Sequence, residues 1–133
     1  MELPKNENTF IFKSTGNATK KPYEGRFTVV CSLNTAQRYQ VELEKTRLMA
    51  DYRNPTDGLM GLAIVLSNLR VRITDAPEWW KQSNEGFGID DENVLVELYD
   101  ETLKAEEKWR QTVITAGETK TTTEEKETNK DPS

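Results

Sequence analysis

Chemistry at a protein site needs a proton acceptor, a nucleophile or a set of metal ligands, and this sequence supplies few of them. It contains no histidine, the side chain that most often serves as general base and metal ligand. Cys31 is the only cysteine, and a thiol with no imidazole to deprotonate it is a weak nucleophile. It lies in the strand-like run "RFTVVCS", where a cysteine acts as a small hydrophobe. Three consecutive carboxylates, Asp90, Asp91 and Glu92, have the chemistry of a metal site or an acid pair. They stand at the start of a helical pattern, however, where carboxylates cap the helix and complement its dipole, so a cap is expected. "GFG" at residues 86–88 is too short for a phosphate loop or a dinucleotide fingerprint. The sequence therefore predicts no enzyme, no cofactor and no metal.

Aromatic residues are the stronger signal, and they point to binding. The passage "TDAPEWWKQSNEGFG", residues 74–88, holds Trp79 and Trp80, two of the three tryptophans, with Phe87 following. Tryptophan is enriched where apolar surface meets a partner. One of the two rings is expected to plug the groove between the second and third long helices. The other is left half exposed for a partner. Phe10 and Phe12 form a second candidate surface, because a short ribbon preceded by a polar arm has unpaired edges that can join another chain's sheet. The candidate partner-binding residues are thus Trp79, Trp80, Phe87, Phe10 and Phe12.

Few elements are available to position these side chains. "TFIFK" (9–13) and "RFTVVCS" (26–32) are rich in β-branched and aromatic residues and flank the turn-forming stretch "STGNATKKPYEG". They read as an antiparallel hairpin over residues 9–32, with Phe27, Val29 and Cys31 on its more apolar face. Such a ribbon is marginal alone and must pack on something. A first helix is expected over 34–53, capped by Asn34 or Ser32 and stopped by Pro55. Ala36, Tyr39, Leu43 and Ala50 recur along it at helical spacing, Val41, Leu48, Met49 and Tyr52 broaden the stripe, and Glu42, Glu44, Lys45 and Arg47 fill the outer face. A second helix over 57–73 is apolar nearly all round and reads as a buried central helix, although its end, "RVRI", also has strand alternation. The third, over 90–112, turns Val94, Leu95, Leu98, Tyr99, Ala105 and Trp109 inward. From residue 115 the only apolar side chain is Ala116, too little to offset the entropy of ordering. The expected fold is α+β and mainly helical: an N-terminal β-hairpin packed on about three helices. A flexible arm (1–8) precedes the single domain (9–113), and a disordered charged tail (114–133) follows it.

The net charge of −5 and the interspersed bases argue against a phosphate-binding surface, since nucleic-acid affinity needs concentrated Lys and Arg. A single-stranded nucleic-acid binder, which often pairs stacking aromatics with an acidic tail, is the weaker alternative for that reason. No window has the length of a membrane-spanning helix, and "MELPKNEN" lacks the form of a signal peptide. The lone cysteine fits a reducing compartment, so a cytoplasmic location is expected.

The order of features also carries a resemblance. "PYEGRFTV" is followed by the helix start Leu33, Asn34, Arg38, by an apolar helix leading to "PEWW", by a glycine turn, and by "DDENVLVELYDETLKAEEKWR". Over roughly residues 22–110 this layout resembles the small tail assembly chaperones of tailed bacteriophages, which have no catalytic signature. The resemblance implies a non-enzymatic morphogenesis factor in the host cytoplasm, with the tape measure or tail tube protein as partner and a homo-oligomer as a further form. The alternative within the same biology is a structural virion component, such as a head–tail connector or a tail or capsid accessory protein.

Overall fold

A computed structural model describes residues 5–50 and 57–129. The elements run β1 (Glu7–Thr15), β2 (Pro22–Val30), α1 (Thr35–Met49), α2 (Asp57–Arg72), β3 (Ile73–Asp75), α3 (Glu78–Gln82) and α4 (Glu92–Asn129). The α+β, mainly helical class expected from the pattern is the one observed.

β1 and β2 pair antiparallel in unbroken register from Glu7↔Val30 to Thr15↔Pro22. Because side chains alternate across a strand, this register gathers Phe10, Phe12, Tyr23, Phe27 and Val29 on one face. Phe27 is fully buried there, stacked on Phe10 at 6.0 Å and edge-on to Phe12 at 5.9 Å between ring centroids. The ribbon does not stay two-stranded. "RVRI" resolves as both of its readings: α2 runs through Arg72, and Ile73–Asp75 continues directly as β3, pairing with β2 at Val29↔Ile73. The sheet order is β1-β2-β3, which leaves β1 on an edge.

Asn34 caps α1. Its side chain accepts from the Gln37 N–H while the Gln37 side chain accepts from the Asn34 N–H, a reciprocal capping box. Met49 ends the helix, and residues 51–56, with Tyr52, the Pro55 stop and the expected last turn, lie outside the described residues. α1 packs on α2, and α2 packs in turn on α4. Against expectation, α1 is rotated so that Val41 is its buried residue. Ala36, Tyr39, Leu43 and Ala50 face solvent. Glu44, assigned to the outer face by pattern, is half-buried and holds Arg70 of α2 at 3.1 Å. The physical reason is that partner. Arg70's side chain is 9 % exposed, and a cation that deep needs a carboxylate close by.

α2 buries Ala63, Val65, Leu66, Ser67 and Leu69 but leaves Met60 and Ile64 exposed, so it is central without being fully covered. The long α4 turns Val94, Leu95, Leu98 and Ala105 into the core as its pattern predicts, and Tyr99 and Trp109 pack at the margin. Its helical backbone continues to Asn129, beyond the residue-113 limit set for the domain.

Candidate functional site

The tryptophan pair sits on a one-and-a-half-turn helix rather than on irregular backbone. Successive helical side chains are about 100° apart, so neighbouring rings can reach the same wall from different directions, and here both reach Phe27. Trp80 is 3 % exposed, with its ring centroid 6.1 Å from that of Phe27. Trp79 is half-buried, edge-on to Phe27 at 5.6 Å and to Tyr23 at 5.2 Å, and its Nε1–H donates to the Glu24 carbonyl at 2.9 Å. The plugged surface is therefore the inner face of the sheet. Gly25 makes room: a Cβ there would lie 2.6 Å from Pro77, the residue that leads into α3. On the far side of Trp80 stands Gly86, whose backbone has φ +91° and whose missing Cβ would meet the indole at 2.7 Å.

Of the five candidate residues, then, Trp80 and Phe12 are core, and Phe10 and Trp79 are half-buried against it. Trp79 still lines an open cleft of about 260 Å³ with Lys21, Tyr23 and Asp90. Only Phe87 stands out, 61 % exposed, with the Arg70 guanidinium 5.9 Å from its ring centroid. Arg70 ties this loop down by donating to the Asn84 carbonyl at 2.8 Å and the Glu85 carbonyl at 3.4 Å. By sequence, Phe10 and Phe12 belong to a surface apart from the tryptophans, whereas the structure packs Phe10, Phe12, Trp79 and Trp80 around Phe27.

The acidic run has a structural task. Asp91 precedes the first residue of α4, but its carboxylate is 1 % exposed and reaches across to the β1–β2 turn. Oδ1 accepts from the Ala18 and Thr19 amides at 2.8 and 2.9 Å; Oδ2 accepts from the Thr19 hydroxyl at 2.5 Å and the Tyr23 hydroxyl at 3.1 Å. Asn93 adds a second tie, accepting from the Asn17 amide and donating to the Thr15 carbonyl. The Thr19 hydroxyl, with the two amides behind it, holds the Asp91 carboxyl below its ordinary pKa. Burial, reinforced by the neighbouring carboxylate, pushes the Tyr23 hydroxyl up. A carboxylate with four donors is committed to them, and no metal-binding group of acids and cysteines occurs among the described residues.

Cys31 is buried, and burial pushes its thiol above the ordinary value, only partly countered by Arg72. That guanidinium is itself inside the fold, donating to the Cys31 carbonyl at 2.8 Å and to Glu106 at 3.3 Å. A thiol in this state is a packing group.

No known protein family, curated protein or solved structure matches the chain. Its site must be argued from its own surface. Among the described residues no helix is long and apolar enough to cross a membrane. The surface feature that pattern reading missed is the outward side of α1, where Tyr39 is 64 % and Leu43 is 47 % exposed. They are four residues apart and form one stripe with Ala36 and Ala50. The signal was present as a regular apolar repeat, but it was assigned to the wrong side of the helix.

Proposed function

We propose that the chain is a non-enzymatic morphogenesis factor of a tailed bacteriophage, acting as a tail assembly chaperone that binds another phage protein through the outer face of α1. The observation that carries this reading is the solvent-facing stripe Ala36, Tyr39, Leu43 and Ala50, on a helix whose opposite side is already packed on α2. A helix with two apolar faces satisfies one inside its own domain and keeps the other for a partner helix, which docks by anchors at three- and four-residue spacing. The resemblance of its sequence layout to tail assembly chaperones is what suggests the tape measure protein or the tail tube protein as that partner. The absence of histidine from the sequence and the engagement of Asp91 with four donors agree with a role without catalysis.

Co-expression of the tagged chain with each tail protein of its phage tests the proposal. The tape measure or tail tube protein is expected to co-purify with the native chain and to be lost with Tyr39→Asp plus Leu43→Asp. Unchanged recovery with that variant would refute the α1 assignment. Mass spectrometry of purified particles decides the role: a chaperone is absent from them, and a fixed copy number would make the chain a virion component instead.

A further inference from the structure

A second surface, independent of the α1 face, lies along the free edge of β1. The pairing pattern shows which backbone groups it presents. At the turn the Gly16 amide donates to the Lys21 carbonyl at 2.9 Å. In an antiparallel ladder hydrogen-bonded and non-bonded pairs alternate, so the even-numbered residues of β1 face β2 and the odd-numbered ones face away. Two independent contacts agree. The Thr15 carbonyl points off the edge to the Asn93 side chain at 3.0 Å, and the Thr9 and Thr28 hydroxyls meet at 2.8 Å, as expected for the closer non-bonded pair. Thr9, Ile11 and Lys13 therefore direct their N–H and C=O groups outward. Among the described residues β1 has no strand on that side.

Apart from the charged Lys13 and the Asn93 contact at its end, this edge lacks the usual protections. It is nine residues long, regular in register and free of proline, whereas exposed edges are normally short, bulged or covered. Beside it runs a groove of about 360 Å³, bounded by Ile11–Lys13 on one wall and by Glu97, Asp100, Glu101 and Lys104 of α4 on the other. The α4 wall carries three carboxylates against one ammonium, Lys104, which pairs with Asp100 at 3.3 Å and Glu101 at 3.4 Å and leaves the wall net negative; Lys13 opposite is paired to Glu24 at 3.5 Å.

We infer that this groove takes an extended, basic segment of another protein, which adds to the sheet as a strand beside β1. Backbone pairing to Thr9, Ile11 and Lys13 holds the segment over about 14 Å, and its Lys or Arg side chains meet the α4 carboxylates. Strand addition of this kind draws affinity from the main chain and selectivity from alternate side chains. A second copy of this chain is the poorer occupant. Pairing two β1 edges about a two-fold axis would bring both sets of acidic α4 residues to one seam, and like charges so placed repel.

The test uses the full chain and a fluorescein-labelled, end-blocked heptapeptide alternating lysine with valine, read by fluorescence anisotropy. The peptide is expected to bind, more weakly as salt rises, and its counterpart with glutamate for lysine is expected to bind at least about tenfold more weakly. Ile11→Pro removes an outward N–H while leaving the β2 ladder intact, and it should weaken the lysine peptide at least about tenfold. Asp100→Lys with Glu101→Lys should do the same from outside the strand. If Ile11→Pro does not fold by circular dichroism, the α4 variant alone decides. Equal binding of the two peptides, no binding at millimolar peptide, or binding unaffected by the decisive variant would overturn the inference. So would a dimer in sedimentation that Ile11→Pro dissolves, because the edge would then belong to a second copy.

Discussion

Two glycines should respond to the same added methyl group with opposite signs. Gly86 sits at φ +91°, where a Cβ would lie 2.7 Å from the Trp80 ring and 3.0 Å from Leu95. An L-residue held in left-handed backbone costs about 1–2 kcal/mol, and overpacking a closed site adds about 1–3 kcal/mol. The indole is only 3 % exposed and already packs edge-on to Phe27, so the site around it is closed. Gly86→Ala should therefore lose about 2–5 kcal/mol, a large share of the 5–15 kcal/mol typical of a domain. At about 4 °C per kcal/mol for roughly a hundred residues, the melting temperature falls by about 8–20 °C. Gly61 is the control: it lies within α2 and a Cβ there has nothing within 4 Å. Gly61→Ala should gain about 0.5–1 kcal/mol from helix propensity and raise the melting temperature by about 2–4 °C. Thermal denaturation followed by circular dichroism and tryptophan emission measures both. A shift of the same sign in the two variants, or a fall below about 3 °C for Gly86→Ala, would refute the packing described around Trp80.

Asp91 sets part of the acid limit. Its folded-state pKa is depressed, so its stabilisation is complete above the unfolded value near 3.9 and is lost as pH falls through the lower folded value. Melting temperature against pH should accordingly drop below about pH 4, and Asp91→Asn should flatten that limb while lowering stability at neutral pH. Glu106→Ala leaves the Arg72 guanidinium, 6 % exposed, without its carboxylate; breaking a buried pair in this way costs about 3–5 kcal/mol, read as a lower urea midpoint with an unchanged slope. Tyr39→Asp plus Leu43→Asp, by contrast, should stay within about 1 kcal/mol of the parent in the same urea titration, since Tyr39 is 64 % and Leu43 is 47 % exposed and neither belongs to the core. A larger loss would place that stripe inside the fold.

The first two strands, a cap for α1 at Asn34 or Ser32, and the inner stripe of α4 were legible because each is written in local sequence. Phe27, Val29 and Cys31 alternate cleanly, and Val94, Leu95, Leu98 and Ala105 lie on one side of a helix whose other side is charged. α1 was not legible in the same way. Val41 and Leu48 lie opposite Tyr39 and Leu43, so two apolar faces compete and periodicity alone has no means of choosing. The choice is made by Arg70, which is distant in sequence and pulls Glu44 inward. β3 is three residues long, below what alternation can register, and it exists because β2 offers an edge. Of the site candidates, Trp80 and Phe12 went to the core while Phe87 stayed exposed, and the sequence could not sort them for a related reason. Aromatic residues are enriched both in cores and at interfaces, and only the packing of α3 on the sheet brings Trp79 and Trp80 against Tyr23 and Phe27. Asp91 stands at the start of α4 as expected, but its carboxylate is turned to Ala18, Thr19 and Tyr23 rather than capping the helix, a reach with no local signature.

That reach has a consequence for the order of events during synthesis. The hairpin turn emerges early from the ribosome, but the carboxylate that fastens it and the Val94, Leu95 and Leu98 side chains that cover the sheet are among the last core groups to be made. Until they appear, the aromatic face of β1 and β2 has no complete lid, and contacts this far apart in sequence form slowly. Synthesis therefore completes the adhesive face of the sheet before the α4 residues that close it, which makes the interval before α4 emerges the one most open to association with other chains.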